Sequence, residues 1–213
     1  MKIDCKTLLF AFFNDKVMRK IAFIDIEGTL TPFECWKEIA TLVGNEEIEE
    51  LLKKGIKGEV DWLKSLLRRI ELIKGLEENE FLKLREKLTI SEEAKKVIKA
   101  LKEKGFYIVL VSGCFEEVLR EFKHFGDLFI TNKAIFENGK FVGISLRFRD
   151  KGEIIERIAR DGDFVLAIGD GNNDAPMFEK ANLSIAVGRK VQSADYYAKD
   201  LKELLEIIKK LRV

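Results

Sequence analysis

Five short runs in this chain are apolar almost without interruption, and that pattern limits the fold more than any other feature. They are KIAFIDI (Lys20–Ile26), FYIVLVSG (Phe106–Gly113), LFITN (Leu128–Asn132), FVLAIGDG (Phe164–Gly171) and LSIAVG (Leu183–Gly188). A strand with one face in water alternates apolar and polar residues, whereas a strand covered on both faces does not. Amphipathic segments separate most of the runs. Ser91–Gly105 reads as a helix with a serine N-cap and a glycine stop. Similar patterns cover Phe115–Phe125, Gly152–Arg160 and Asp200–Leu211. Strands alternating with helices predict an α/β fold, a parallel sheet with helices on both faces.

Two stretches break the alternation. From Thr31 to about Leu88 the pattern is helical throughout, as in EEIEELLKKG and EVDWLKSLLRRIELIKG. That is too long for a simple crossover, and insertions of this length usually serve function. In Lys133–Phe148, Asn138-Gly139 lies between alternating runs and predicts a β-hairpin. The expected organisation is a core of residues 20–31 and 89–213 with a small helical cap, 32–88, inserted into it. Residues 1–19 form an N-terminal extension in which LLFAFF (Leu8–Phe13) is expected to pack as a strand or short helix on the core or on a partner chain.

Composition removes several function classes. The 213 residues carry 38 basic and 37 acidic side chains, a formal net charge of +1, with no basic stripe interleaved with aromatics. A nucleic-acid partner is therefore not expected. No apolar run approaches the roughly 20 residues of a membrane helix, and LLFAFF is too short for a signal-peptide core. Cys5, Cys35 and Cys114 are odd in number and widely spaced. They are expected to be free thiols in a reducing cytoplasm. The Lys- and Glu-rich balance resembles that of thermophilic proteins.

In open parallel sheets, ligands bind beyond the carboxyl ends of the strands. Collecting the polar residues there gives Asp25 and Glu27 from the first run, Ser112 and Gly113 from the second, and Asp170, Asn173 and Asp174 from GDGNND. Lys151 opens the helix that precedes that last motif. Four carboxylates cannot share a small site without a cation, and oxygen-only ligands point to Mg²⁺. Glycine-rich turns, helix N-termini and Lys151 suit the oxygens of a phosphate.

With these residues in this order, the chain resembles the haloacid dehalogenase superfamily. DIEGTLT, VLVSG, the lysine of DKGEII and GDGNND match its four motifs, and the resemblance runs from Lys20 onward. It is closest to the phosphoserine phosphatase branch, through DWLKSLLRRIELIKGL, SGCF and AIGDGNNDAPMFEKANLSIAV. The resemblance implies a Rossmann-like core and hydrolysis of a small phosphomonoester through a phosphorylated Asp25. It implies Mg²⁺ held by Asp25, Asp170, Asp174 and the Glu27 backbone carbonyl. Ser112, Gly113, Lys151 and Asn173 would meet the phosphate. Glu34 and Arg69 would read the amine and carboxylate of an amino acid, with the adjacent Arg68 offering a second register.

The chain departs from the family at Glu27, where an aspartate normally serves as general acid and then base. The functional group is kept, with a reference pKa of about 4.3 against 3.9, on an arm one methylene longer. The preferred reading is a Mg²⁺-dependent phosphatase of a small phosphomonoester, with phosphoserine one candidate substrate, tuned or slowed by the longer arm, in a cytoplasmic monomer or homodimer. The alternatives are a phosphatase of another phosphometabolite such as a sugar phosphate and a catalytically impaired phosphometabolite-binding protein. TPFECW and Cys114 are bulkier than the family's usual residues and are expected to crowd the pocket, and His124 is expected to have no catalytic role.

Overall fold

In the computed structural model, which describes residues 18–57 and 59–213, β1 (Lys20–Asp25) lies at the centre of a seven-stranded sheet. The order is β4-β3-β2-β1-β5-β6-β7, with β2 Phe106–Phe115, β3 Leu128–Glu137, β4 Lys140–Ser145, β5 Phe164–Gly169, β6 Leu183–Val187 and β7 Tyr196–Ala198. Every neighbouring pair is parallel except β3–β4. The continuous apolar runs are explained by two cores, one on each face. Ala22 and Ile24 of β1 belong to one, and Ile21 and Phe23 to the other.

The predicted helices form, with one difference. Ser91 Oγ accepts the Ala94 N–H at 3.1 Å and caps the helix Glu92–Glu103, which ends at Gly105 with φ 81°. The segment expected as one helix over Phe115–Phe125 is a short α-helix, Glu116–Leu119, followed by a 3₁₀ turn, Arg120–His124. The hairpin turns at Asn138 and Gly139, both at positive φ, as a two-residue type I′ connection requires. Strand β3 runs unbroken from the sheet into that hairpin. Strand β7 was not expected.

Between Thr31 and Leu88 the chain carries α1 (Cys35–Val43), α2 (Glu47–Ile56), α3 (Trp62–Leu72), α4 (Glu78–Lys83) and a 3₁₀ turn, with no strand among the described residues. An aromatic cluster joins this segment to the hairpin: Phe81 of α4 sits edge-on to Phe115 at 5.0 Å and stacks on Phe141 at 5.7 Å. Backbone bonds from Gly75 to Phe141 and from Phe141 to Leu76 secure the same contact. The site expected for Leu8–Phe13, and the 1–19 extension apart from Met18 and Arg19, lie outside the described residues. Among the described residues no helix is long and apolar enough to cross a membrane.

Candidate active site

Sheet order reverses about β1, whose neighbours β2 and β5 lead to opposite sides, so a crevice opens beyond its carboxyl end. Asp25 ends β1 there. The chain then turns at Gly28, whose φ is 74° and where a Cβ would come within 2.5 Å of Asp170 Oδ2. Conformation and space both demand glycine. Lys151 is the first residue of α7 (Lys151–Ile158; α5 is Glu92–Glu103 and α6 is Glu116–Leu119), set by the Asp150 N-cap. Its ammonium donates to Asp25 Oδ1 and to Asp174 Oδ1, each at 2.5 Å. Asp174 Oδ2 accepts the N–H groups of Asp170 and Gly171, and Asp170 Oδ2 accepts from Arg189 at 2.5 Å.

Burial governs the electrostatics. It raises the Asp25 carboxyl well above its ordinary value, with Lys151 opposing and Asp174 and Asp170 reinforcing. Asp170 is raised by burial and by Asp174. Burial works to lower Lys151, but Asp174 and Asp25 outweigh it and hold the ammonium above its ordinary range. Oxygens of Asp25, Asp170 and Asp174 all lie within 4.8 Å of one another. Three buried carboxylates face two cations, Lys151 and Arg189. This oxygen-only set fits a hard divalent cation such as Mg²⁺.

Glu27 uses its longer arm to fold back beside the crevice. Its Oε1 accepts the Cys35 N–H at 2.7 Å, and its Oε2 accepts the Ser112 hydroxyl at 2.5 Å. Ser112 Oγ in turn accepts the Cys114 N–H at 3.0 Å. Burial raises the Glu27 carboxyl, against the hydrogen bonds from Ser112 and Cys35. A carboxyl biased toward its protonated form suits a proton donor. Ser112 itself is fully buried behind Glu27.

A cavity of about 710 Å³ joins this edge to the helical segment. Asp25, Glu27, Gly113, Lys151 and Asn173 line its floor; Trp36, Leu52, Ile56, Trp62 and Arg69 line its roof. Arg69 is only 2% exposed, and its guanidinium lies over the Trp36 ring. Its Nε donates to Ser65 O within its own helix, and among the described residues Nη1 has no partner and no carboxylate forms an ion pair with it. Burial pushes its pKa down to about 10, Glu27 opposing, which leaves it cationic at neutral pH. Arg68 is exposed and pairs with Glu47 at 2.9 Å, so the cavity-facing arginine is Arg69. Glu34 lines the cavity, half-buried, and pairs with Lys37 at 2.7 Å.

Two expectations from the sequence need correction. Cys35 and Cys114 are not free thiols: they form a disulfide across 79 residues, with Cα atoms 6.1 Å apart. Cys114 therefore does not crowd the pocket; it is fully buried, turned to Cys35 in the core. His124 is exposed at an open depression with Lys95 and Lys99. Sequence reading leaves out Arg189, although it follows β6 at the same sheet edge. The rule that selects Asp25 and Asp170 would have selected it.

This carboxylate–lysine edge beneath a helical roof defines a class. A family model for haloacid dehalogenase-like hydrolases matches residues 19–182, and the chain belongs to that family. Within it, the chain is 34% identical over 207 residues to the phosphoserine phosphatase of Methanocaldococcus jannaschii, covering 90% of this chain and 98% of that protein. Among solved structures it resembles the phosphoserine phosphatase of T. onnurineus, at 58% identity and TM-score 0.88, covering 93% of this chain and 98% of that one. It also resembles a phospho-aspartyl intermediate analogue of phosphoserine phosphatase, at 33% identity and TM-score 0.82 over 90% of this chain and 100% of that one.

Proposed function

We propose that the chain is a Mg²⁺-dependent phosphatase that hydrolyses phosphoserine through an aspartyl-phosphate on Asp25. In the same reading, residues 32–88 act as a cap over a core of residues 20–31 and 89–213. The observation that carries the choice of substrate is Arg69. A buried guanidinium without a carboxylate partner is costly, and a substrate carboxylate would complete it with a two-pronged contact. The phosphate would then lie toward Asp25 and Lys151, with the amine toward Glu34.

Asp25 attacks phosphorus as its Oδ–P bond forms and the bond from phosphorus to the serine oxygen breaks. Glu27 gives its proton to that departing oxygen. Its carboxylate then takes a proton from water as the water attacks phosphorus, releasing Asp25 and inorganic phosphate. Lys151 orients Asp25 and opposes the effect of burial by favouring its ionised form. Gly113 and Asn173 would meet the phosphate, while the buried Ser112 hydroxyl, which donates to Glu27, would hold the acid instead of a phosphate oxygen. Asp25, Asp170, Asp174 and the Glu27 backbone carbonyl would hold Mg²⁺, which when bound offsets the negative charge shared by carboxylates and phosphate.

The test is a panel of phosphorylated metabolites with Mg²⁺, including phosphoserine and sugar phosphates. The reading expects kcat/KM for phosphoserine to exceed that of every sugar phosphate. A higher value for a sugar phosphate overturns the substrate, and binding without turnover of any member overturns the enzyme.

A further inference from the structure

We propose that the Cys35–Cys114 disulfide is a redox-controlled clamp that positions Glu27 for proton transfer. The inference rests on the reading of Glu27 as the acid–base group. Both cysteines are fully buried; one opens α1 and the other lies in β2. Their own backbone N–H groups flank the network that holds Glu27. Cys35 N–H reaches Oε1 directly at 2.7 Å, while Cys114 N–H reaches Ser112 Oγ at 3.0 Å, and that hydroxyl donates to Oε2 at 2.5 Å. The disulfide therefore closes a ring: carboxylate, serine hydroxyl, one peptide N–H, the sulfur bridge, and the other peptide N–H.

That ring meets a specific need. A glutamate has one more rotatable bond than an aspartate, and an acid held loosely forfeits rate. Two backbone donors fixed relative to each other restrict the longer arm to one position. One of them belongs to the sheet edge and the other to the first turn of the helical segment. The crosslink thus sets the distance between the two structural units that must agree on where the acid stands. Cys35 and Cys114 are positioning residues: their sulfurs lie within 4.8 Å of a Glu27 carboxylate oxygen but act on the reaction only through where they hold it.

The switch is thiol–disulfide exchange with a dithiol. One thiolate of the dithiol attacks a cysteine sulfur, and the Cys35–Cys114 bond breaks to a mixed disulfide. The second thiolate displaces the protein sulfur. Two electrons and two protons pass to the protein, giving two thiols, and the dithiol leaves as its own disulfide. A dithiol-derived disulfide drives the reverse.

The experiment begins with alkylation of denatured protein. Of the three cysteines in the chain, the oxidised form should expose one thiol and the dithiol-treated form three. Turnover of phosphoserine is then compared with the phosphorylation burst on 4-nitrophenyl phosphate, whose leaving group departs without a proton. Reduction should lower kcat on phosphoserine about tenfold, part of the general acid–base contribution, and change the aryl burst less than about twofold. The double variant Cys35→Ala, Cys114→Ala gives the uncrosslinked enzyme if the buried bridge resists the dithiol, and should behave as the reduced form. Three thiols in the oxidised preparation, equal rates with and without the bridge, or equal losses on both substrates would each overturn the clamp. Glu27→Gln in the crosslinked enzyme separates the two ideas. If it costs nothing on phosphoserine, the acid–base reading fails; if it is costly while the bridge is neutral, only the clamp fails.

Discussion

The guanidinium carbon of Arg69 stands 4.3 Å from the centroid of the Trp36 ring. The indole face supports the cation without consuming its N–H groups, so a planar donor fork stays available to the cavity. Arg69→Ala should raise KM for phosphoserine roughly 30-fold or more, the lower end of losing a desolvated charge pair. KM for 4-nitrophenyl phosphate, which has no carboxylate, should change little. Arg69→Lys keeps the charge but not the fork and should recover only part of the loss. Parallel shifts on both substrates would remove Arg69 from substrate recognition.

Asp25 and Lys151 share a 2.5 Å contact that orients the nucleophile. Asp25→Asn replaces that carboxylate with an amide and should lower kcat by at least about three orders of magnitude, as loss of a nucleophile does. Circular dichroism should report an unchanged fold. Acid quench of the native enzyme during turnover should trap phosphate on Asp25, and the variant should trap none. Near-native turnover by the variant would assign the chemistry elsewhere.

What the sequence reveals and what it conceals follow from distance along the chain. The sheet, the Ser91 cap and the Asn138-Gly139 turn depend on neighbours and are legible. The catalytic edge is legible too, because strand ends in a parallel sheet converge wherever they fall in sequence. Residues 116–124 are ambiguous because apolar spacing over so few residues suits both a 3.6- and a 3.0-residue turn. Strand β7 escapes because its three residues include two exposed tyrosines at a sheet edge. The pairing of Cys35 with Cys114 depends on how the helical segment folds back, which no local pattern records. The choice between Arg68 and Arg69 likewise required the helix face.

Arg189 occupies Asp170 with a 2.5 Å ion pair, and so competes with any cation there. Activity should vanish with excess chelator and return with Mg²⁺, while Ca²⁺, with its larger and looser shell, should inhibit. Arg189→Ala removes a neighbouring positive charge and should lower the half-saturating Mg²⁺ concentration several-fold. Mg²⁺ titrations of turnover test both statements. Full activity in chelator, or weaker Mg²⁺ binding in the variant, would contradict them.

Acid stability should depend on Asp163. Its carboxylate accepts Arg19 Nε at 3.0 Å and the Arg160 N–H at 2.8 Å, just before β5. The hydrogen bond from Arg19 holds its pKa below the ordinary value. A depressed carboxylate contributes stability above its unfolded pKa of about 3.9, lost as pH falls through the folded value. Asp163→Asn should therefore lower the urea midpoint at pH 7 and converge with wild type near pH 2. A constant gap between the two proteins across that range would exclude the linkage.

Glu27→Asp gives the last test, because it keeps the acid and shortens the arm. Glu27 meets both the Cys35 N–H and the Ser112 hydroxyl with its two oxygens, and an aspartate, one methylene shorter, should lose at least one of these contacts. It should still turn over phosphoserine within about tenfold of wild type, since the proton donor survives, whereas Glu27→Gln should lose about two or more orders of magnitude. The shorter acid no longer depends on the peptide of Cys35 for its position. Breaking the Cys35–Cys114 bridge should then cost Glu27→Asp little, although it costs wild type about tenfold in the same assay. The four kcat values form a double-mutant cycle whose coupling reports the clamp directly. A coupling near zero, with the bridge equally costly in both backgrounds, would mean that the disulfide acts on the fold at large and not through Glu27.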